Sequence, residues 1–92
     1  MTDVELLRQV KIGLFGTDAG EWRDATLTLY INEVRDFMRG AGVAESVLSA
    51  ESSAGVYVIG VNDLWNHAPG GVKFSEYFIQ RVIQLSARGG AS

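Results

Sequence analysis

One stretch decides what this 92-residue chain can fold into. Gly55-Val56-Tyr57-Val58-Ile59-Gly60-Val61 is rich in β-branched residues, which suit the pleated surface of a strand. The spacing around it says otherwise. Ala54, Tyr57, Val58, Val61, Leu64, Trp65 and Ala68 recur at intervals of three and four and fall within one helical arc. A strand would not carry that register on through Asp63-Leu64-Trp65. The spacing predicts a helix over residues 52–67, capped by Ser52 or Ser53, and with it an all-α chain.

The other apolar patterns agree. Thr2-x-x-Glu5 is a capping box that opens a helix over 3–13. Val4, Leu7, Val10 and Leu14 recur along it, Arg8 and Lys11 fall in later turns where the helix dipole favours cations, and Gly13 and Gly16 end it. After a polar turn at Thr17-Asp18-Ala19-Gly20, acids mark the next helix start: Asp18, Glu21 and Asp24. Over 21–39, Leu27, Tyr30, Ile31, Val34, Phe37, Met38 and Ala41 share one arc of about 120°. Gly40 and Gly42 offer left-handed conformations to stop this helix. Residues 43–50 leave room for a short extra helix.

Ala68-Pro69-Gly70-Gly71 is a turn by its chemistry. The last helix spans 75–88, with Ser75 as N-cap and Phe74 as a hydrophobic staple onto Ile79. Phe78, Ile79, Val82, Ile83 and Leu85 form its apolar face, and Tyr77, Gln80, Arg81, Gln84 and Arg88 its polar one. Gly89-Gly90 ends it and leaves 87–92 as a flexible tail. The expected architecture is one domain over 1–92, a small all-α bundle of four main helices.

Composition narrows the function. The chain has no cysteine, which excludes disulfides and thiolate metal sites. No apolar run approaches the roughly 18 residues of a membrane span, and the acidic start Met1-Thr2-Asp3-Val4-Glu5 is unlike a signal peptide. A cytoplasmic chain without membrane partners is expected. A net charge of −3 argues against binding nucleic acid through phosphate neutralisation. The charge is uneven: residues 1–71 hold ten acids and five bases, whereas 72–92 hold Lys73, Arg81 and Arg88 against Glu76.

Nothing in the pattern announces catalysis. The sole histidine, His67, falls at a helix end, where the dipole favours a cation. No second histidine exists to complete a metal pair. Glu21 and Asp24 lie three apart and could hold a cation, but acids in a first turn ordinarily serve the dipole. The glycine-containing turns follow helices rather than strands, so neither is in the context of a phosphate loop. The expectation is a non-enzymatic protein without metal or cofactor.

Binding is the better-supported class. Val56 and Ile59 point away from the apolar arc of their own helix, between Gly55 and Gly60, and Trp22 and Leu29 lie off the arc of theirs. The simple alternative is that the bundle covers them; a cluster left exposed would mark an interface. Arg81 and Arg88, seven residues apart, share a stripe that could meet DNA or an acidic partner, against the simpler reading of a solvated face, since two arginines make a weak electrostatic footprint.

Several landmarks together resemble the small head–tail connector (adaptor, or head-completion) proteins of tailed bacteriophages and prophages. The similarity runs through Leu6-Leu7-x-x-Val10-Lys11-x-x-Leu14 and Asp24-x-x-Leu27-x-x-Tyr30-Ile31, then Ala41-Gly42-Val43 and Gly60-Val61-x-Asp63-Leu64-Trp65. It closes with Phe74-Ser75-x-x-Phe78-x-x-Arg81-x-x-Gln84-Leu85. The chain departs from that pattern at Ala44, where proline is expected, and in a less acidic 17–21 loop. The resemblance implies a helical structural subunit, made in the host cytoplasm and ending at the virion neck. There it forms a closed ring of about twelve copies between the portal protein and the next completion or tail protein. The ring extends a channel through which DNA passes without sequence-specific binding. An acidic body suits that passage, because a basic lining would grip phosphates. On this view Trp22, Leu29, Val56 and Ile59 are candidates for the subunit interface, and Arg81 and Arg88 for portal docking. The competing expectation is a small helical regulatory or DNA-binding module, with 68–71 as the turn between two helices.

Overall fold

Residues 54–65 are helical, as the register across the β-branched stretch requires. In the computed structural model, which describes residues 1–67 and 74–90, the chain is an all-α bundle. Its elements are α1 (Asp3–Phe15), α2 (Asp24–Gly40), α3 (Glu45–Leu48), one 3-10 turn (Glu51–Ser53), α4 (Ala54–Trp65) and α5 (Glu76–Gly90). The turn expected at 68–71, the Ala68 end of the α4 register, Lys73 and the last two residues of the tail lie outside the described residues.

α4 is the centre of the bundle. It packs on α1, α2 and α5, and a helix that is apolar nearly all round belongs inside. Val56, Tyr57, Gly60, Val61 and Leu64 are buried, and Val58 and Ile59 are half-buried against the core. Two glycines let the neighbours close in. A Cβ on Gly60 would lie 2.6 Å from Phe78 of α5 and 2.9 Å from Val34 of α2; one on Gly13 would lie 2.6 Å from Val58. Gly13 therefore does not end α1. It is the point where α1 crosses α4, and the helix runs on to Phe15 before Gly16, at φ +75°, stops it.

Local chemistry explains most of the boundaries. The Thr2 hydroxyl accepts from the Glu5 amide at 3.1 Å and caps α1. At the end of α2, Gly42 adopts φ +94°, the Gly42 amide donates to Arg39 and the Val43 amide to Met38. That is a Schellman ending, with Val43 and Met38 both buried as its apolar contact. Ser75 caps α5 by accepting from the Phe78 amide, and its own amide and hydroxyl both donate to Asp63 near the end of α4.

Three boundaries differ from expectation. α2 begins at Asp24, because residues 21–23 form a turn closed by the Asp24 amide on the Glu21 carbonyl. Ser53 does not cap α4; it is buried and donates to the Val47 carbonyl at 2.6 Å, tying the 3-10 turn to α3. α5 continues through Arg88 to Gly90, so residues 87–90 are helix rather than tail. Phe74 packs on Phe78 and Phe37, with ring centroids 4.6 and 4.8 Å away, fastening the start of α5 to the end of α2.

Candidate functional site

The clearest outward feature grows from a buried lysine. Lys11 is 6% exposed, and its ammonium donates to the Gly20 carbonyl and pairs with Asp24 at 2.9 Å. Arg8 pairs with Asp18 at 3.0 Å, and the Thr17 hydroxyl accepts from the Ala19 amide. α1 thus holds the 16–23 segment at several points. Asp24 spends its charge on Lys11, so Glu21 and Asp24 do not form a cation site. Among the described residues no three acidic, histidine or cysteine side chains gather to hold a metal.

That clamped segment displays Trp22. The ring is 77% exposed and rests on the Arg23 guanidinium, which lies 4.1 Å from it and 3.8 Å from Phe15 on the other side. Phe15 in turn meets Trp65 edge-on at 5.5 Å, and Trp65 meets Tyr30. An exposed tryptophan is therefore stacked onto the bundle through an arginine sandwich, a favourable cation–π arrangement. On α2 itself, Leu29 is 56% exposed.

The other proposed interface residues fare differently. Val56 is wholly buried, because α4 is covered on the side where its own apolar arc leaves off. It is core, not surface. Ile59 is half-buried against the same core. Arg81 is half-buried and donates to the Tyr77 hydroxyl at 3.2 Å, while Arg88 is exposed in the last turn of α5. Tyr77 beside them is 57% exposed.

Spacing alone places several exposed apolar residues on core arcs. Val4 is 78% exposed, Ile83 is 57% exposed, and Phe37 is partly open while stacking on Phe74 and Phe78. On α1 the buried residues are Leu6, Val10 and Lys11, so the burying face is rotated from the one the Val4–Leu7 spacing suggested. Val4 and Leu7 instead line a shallow cleft with Thr28 and Ile31 of α2. The signal for Lys11 was present, since it sits seven residues after Val4 on an otherwise apolar stripe.

A second polar cluster ties α2 to α1, α3 and α4. The buried Tyr57 hydroxyl donates to the Leu48 carbonyl and accepts from Arg35, which also reaches Asp3 at 2.9 Å. Burial works against the Arg35 charge, but the Tyr57 hydroxyl and Asp3 outweigh it and raise its pKa. Arg39 grips both oxygens of Glu45 at 2.9 and 3.0 Å, and those hydrogen bonds hold the Glu45 carboxyl below its usual range. Every member of this cluster has a partner within the chain. His67 lies against the Asp63 carbonyl at the end of α4, a helix-terminal contact.

No protein-family model matches the chain, and neither a curated protein nor a solved structure matches it. No helix among the described residues is long and apolar enough to cross a membrane. What fold and surface define together is a class: a small helical bundle that fills its own core and still displays Trp22, Leu29, Tyr77 and Ile83 at its surface.

Proposed function

We propose that this chain is a structural, non-catalytic subunit that assembles into a closed ring, of the kind found in phage head–tail connectors. The observation that carries the reading is the exposure of Trp22 in the turn before α2, of Leu29 on α2, and of Tyr77 and Ile83 on α5. A domain whose core is already complete gains nothing internally from them, and aromatic residues are enriched at the anchors of protein interfaces. The ordered resemblance along most of the chain points the same way, and it implies a helical subunit.

In that role the ring joins the portal protein to the next completion or tail protein at the virion neck, and DNA passes through its centre. The net charge of −3 favours passage over retention, because few phosphate counterions would be displaced. Native mass spectrometry over a wide concentration range tests the reading. A closed assembly of roughly a dozen copies supports it. A discrete dimer with steeply salt-dependent duplex affinity would instead favour a DNA-binding regulator, in which two-fold symmetry matches two half-sites.

A further inference from the structure

The charges left over after internal pairing are segregated. Arg8, Lys11, Arg35 and Arg39 each hold a carboxylate of the same chain, and Arg23 is sandwiched between Phe15 and Trp22. Among the described residues, Arg81 and Arg88 of α5 are the bases with neither arrangement. The glutamates without a basic partner there are Glu5, Glu21, Glu33, Glu51 and Glu76, and only Glu76 lies on α5. Two of them stand beside exposed apolar groups: Glu21 next to Trp22, and Glu33 one helical turn from Leu29.

α5 supplies the complement. Tyr77, Arg81, Gln84 and Arg88 follow at intervals of four, three and four and form one stripe about 16 Å long. The stripe joins an exposed aromatic ring to the two unpaired bases, with the Arg81 guanidinium 6.0 Å from the Tyr77 ring. We propose that this α5 stripe docks, in a second copy of the chain, on Trp22 in the turn before α2 together with Leu29 and Glu33 of α2. The inference rests on the ring reading and says which surfaces make it.

Trp22 is the anchor, and it is ready before contact. Lys11, Arg8 and Arg23 already hold its segment, so little ordering entropy remains to be lost on docking. Glu21 and Glu33 face Arg81 and Arg88, and Tyr77 covers the apolar strip between them. The two surfaces differ, so the contact is head-to-tail and each bound copy still offers one open face; such a contact closes into a ring when its rotation permits. Arg81 and Arg88, expected from the sequence to face the portal, are thereby assigned to the contact between copies.

Two surface variants of the full chain test it. Trp22→Ser with Glu33→Arg blocks the α2 side, and Tyr77→Ser with Arg88→Glu blocks the α5 side. Sedimentation velocity should show each variant alone self-associating about 30-fold or more weakly than the wild type. An equimolar mixture should give a one-to-one heterodimer that stops there, since each partner retains one working face. A chain carrying both Glu33→Arg and Arg88→Glu reverses both charges and should assemble again, an independent readout should either double variant lose its helical circular dichroism. If both blocked variants assemble like the wild type, or the mixture does not pair, the docking is wrong while self-assembly stands. A wild type that remains monomeric at every concentration overturns the ring reading and the docking with it.

Discussion

Two glycines on one helix show how little their chemistry says without their surroundings. Gly55 and Gly60 both lie in α4, yet a Cβ on Gly55 meets nothing within 4 Å, whereas one on Gly60 meets Phe78 and Val34, both wholly buried. Gly55→Ala should stabilise the protein by about 0.5–1 kcal/mol by restricting the unfolded chain. Gly60→Ala should destabilise it by about 1–3 kcal/mol through overpacking. Thermal denaturation of the pair checks both signs. Lys11 makes the same point among polar residues. Replacing it with methionine keeps the stem but strands the Asp24 carboxylate and the Gly20 carbonyl. A loss of about 1–3 kcal/mol is expected, together with faster amide exchange across 17–22. Unchanged exchange there would mean the segment holds its shape without the lysine.

At the scale of elements, the junctions matter more than the helices. α5 is fastened to α4 by Ser75, which caps its own helix and binds Asp63 at 2.9 and 3.0 Å. Ser75→Ala removes the cap and one of those hydrogen bonds, and should lower stability by about 1–2 kcal/mol in chemical denaturation. The α2–α3 junction responds to pH instead. Glu45 is held below its ordinary carboxylate pKa by Arg39, so the folded state favours its charged form. The resulting stabilisation is present above the unfolded value of about 4.3 and is lost as pH falls through the lowered folded value. NMR titration should place the Glu45 midpoint below that of a free glutamate, and Arg39→Met should move it back up. A midpoint that ignores Arg39 would show that the fork does not hold in solution.

For the molecule as a whole, among the described residues, Arg8, Lys11, Arg35 and Arg39 are held in internal ion pairs, while Glu5, Glu21, Glu33 and Glu51 before α5 have no basic partner. Assembly through the α5 stripe should therefore weaken as salt rises, because exposed charge pairs are screened over about a Debye length. The apolar anchor should limit that loss. Ring mass measured at low and high ionic strength separates the two contributions. Duplex DNA should bind the assembled form weakly and without a steep salt slope; tight, salt-sensitive binding would contradict a channel that lets DNA pass.

The sequence alone determined the fold class, because helical spacing and local capping are properties of neighbours in the chain. Thr2, Ser75 and Gly42 do in the structure what their positions predict, and the register through Tyr57 and Leu64 defines α4 even across β-branched residues. The exposure of Leu29 was legible for the same reason, since it falls off the arc of its helix, whereas Trp22 is exposed from the turn before α2. Only the tertiary structure decided the rest. A helix face knows its own periodicity but not how many neighbours will cover it, so Val56 turned out to be core because α4 is enclosed. Val4 and Ile83, at apolar spacing, were left exposed because packing buries a different face of each helix, Leu6 and Val10 on α1 and Phe78, Val82 and Leu85 on α5. Lys11 belongs to the same class: its burial depends on a carbonyl and a carboxylate that approach it only once the 16–23 segment has folded back over α1.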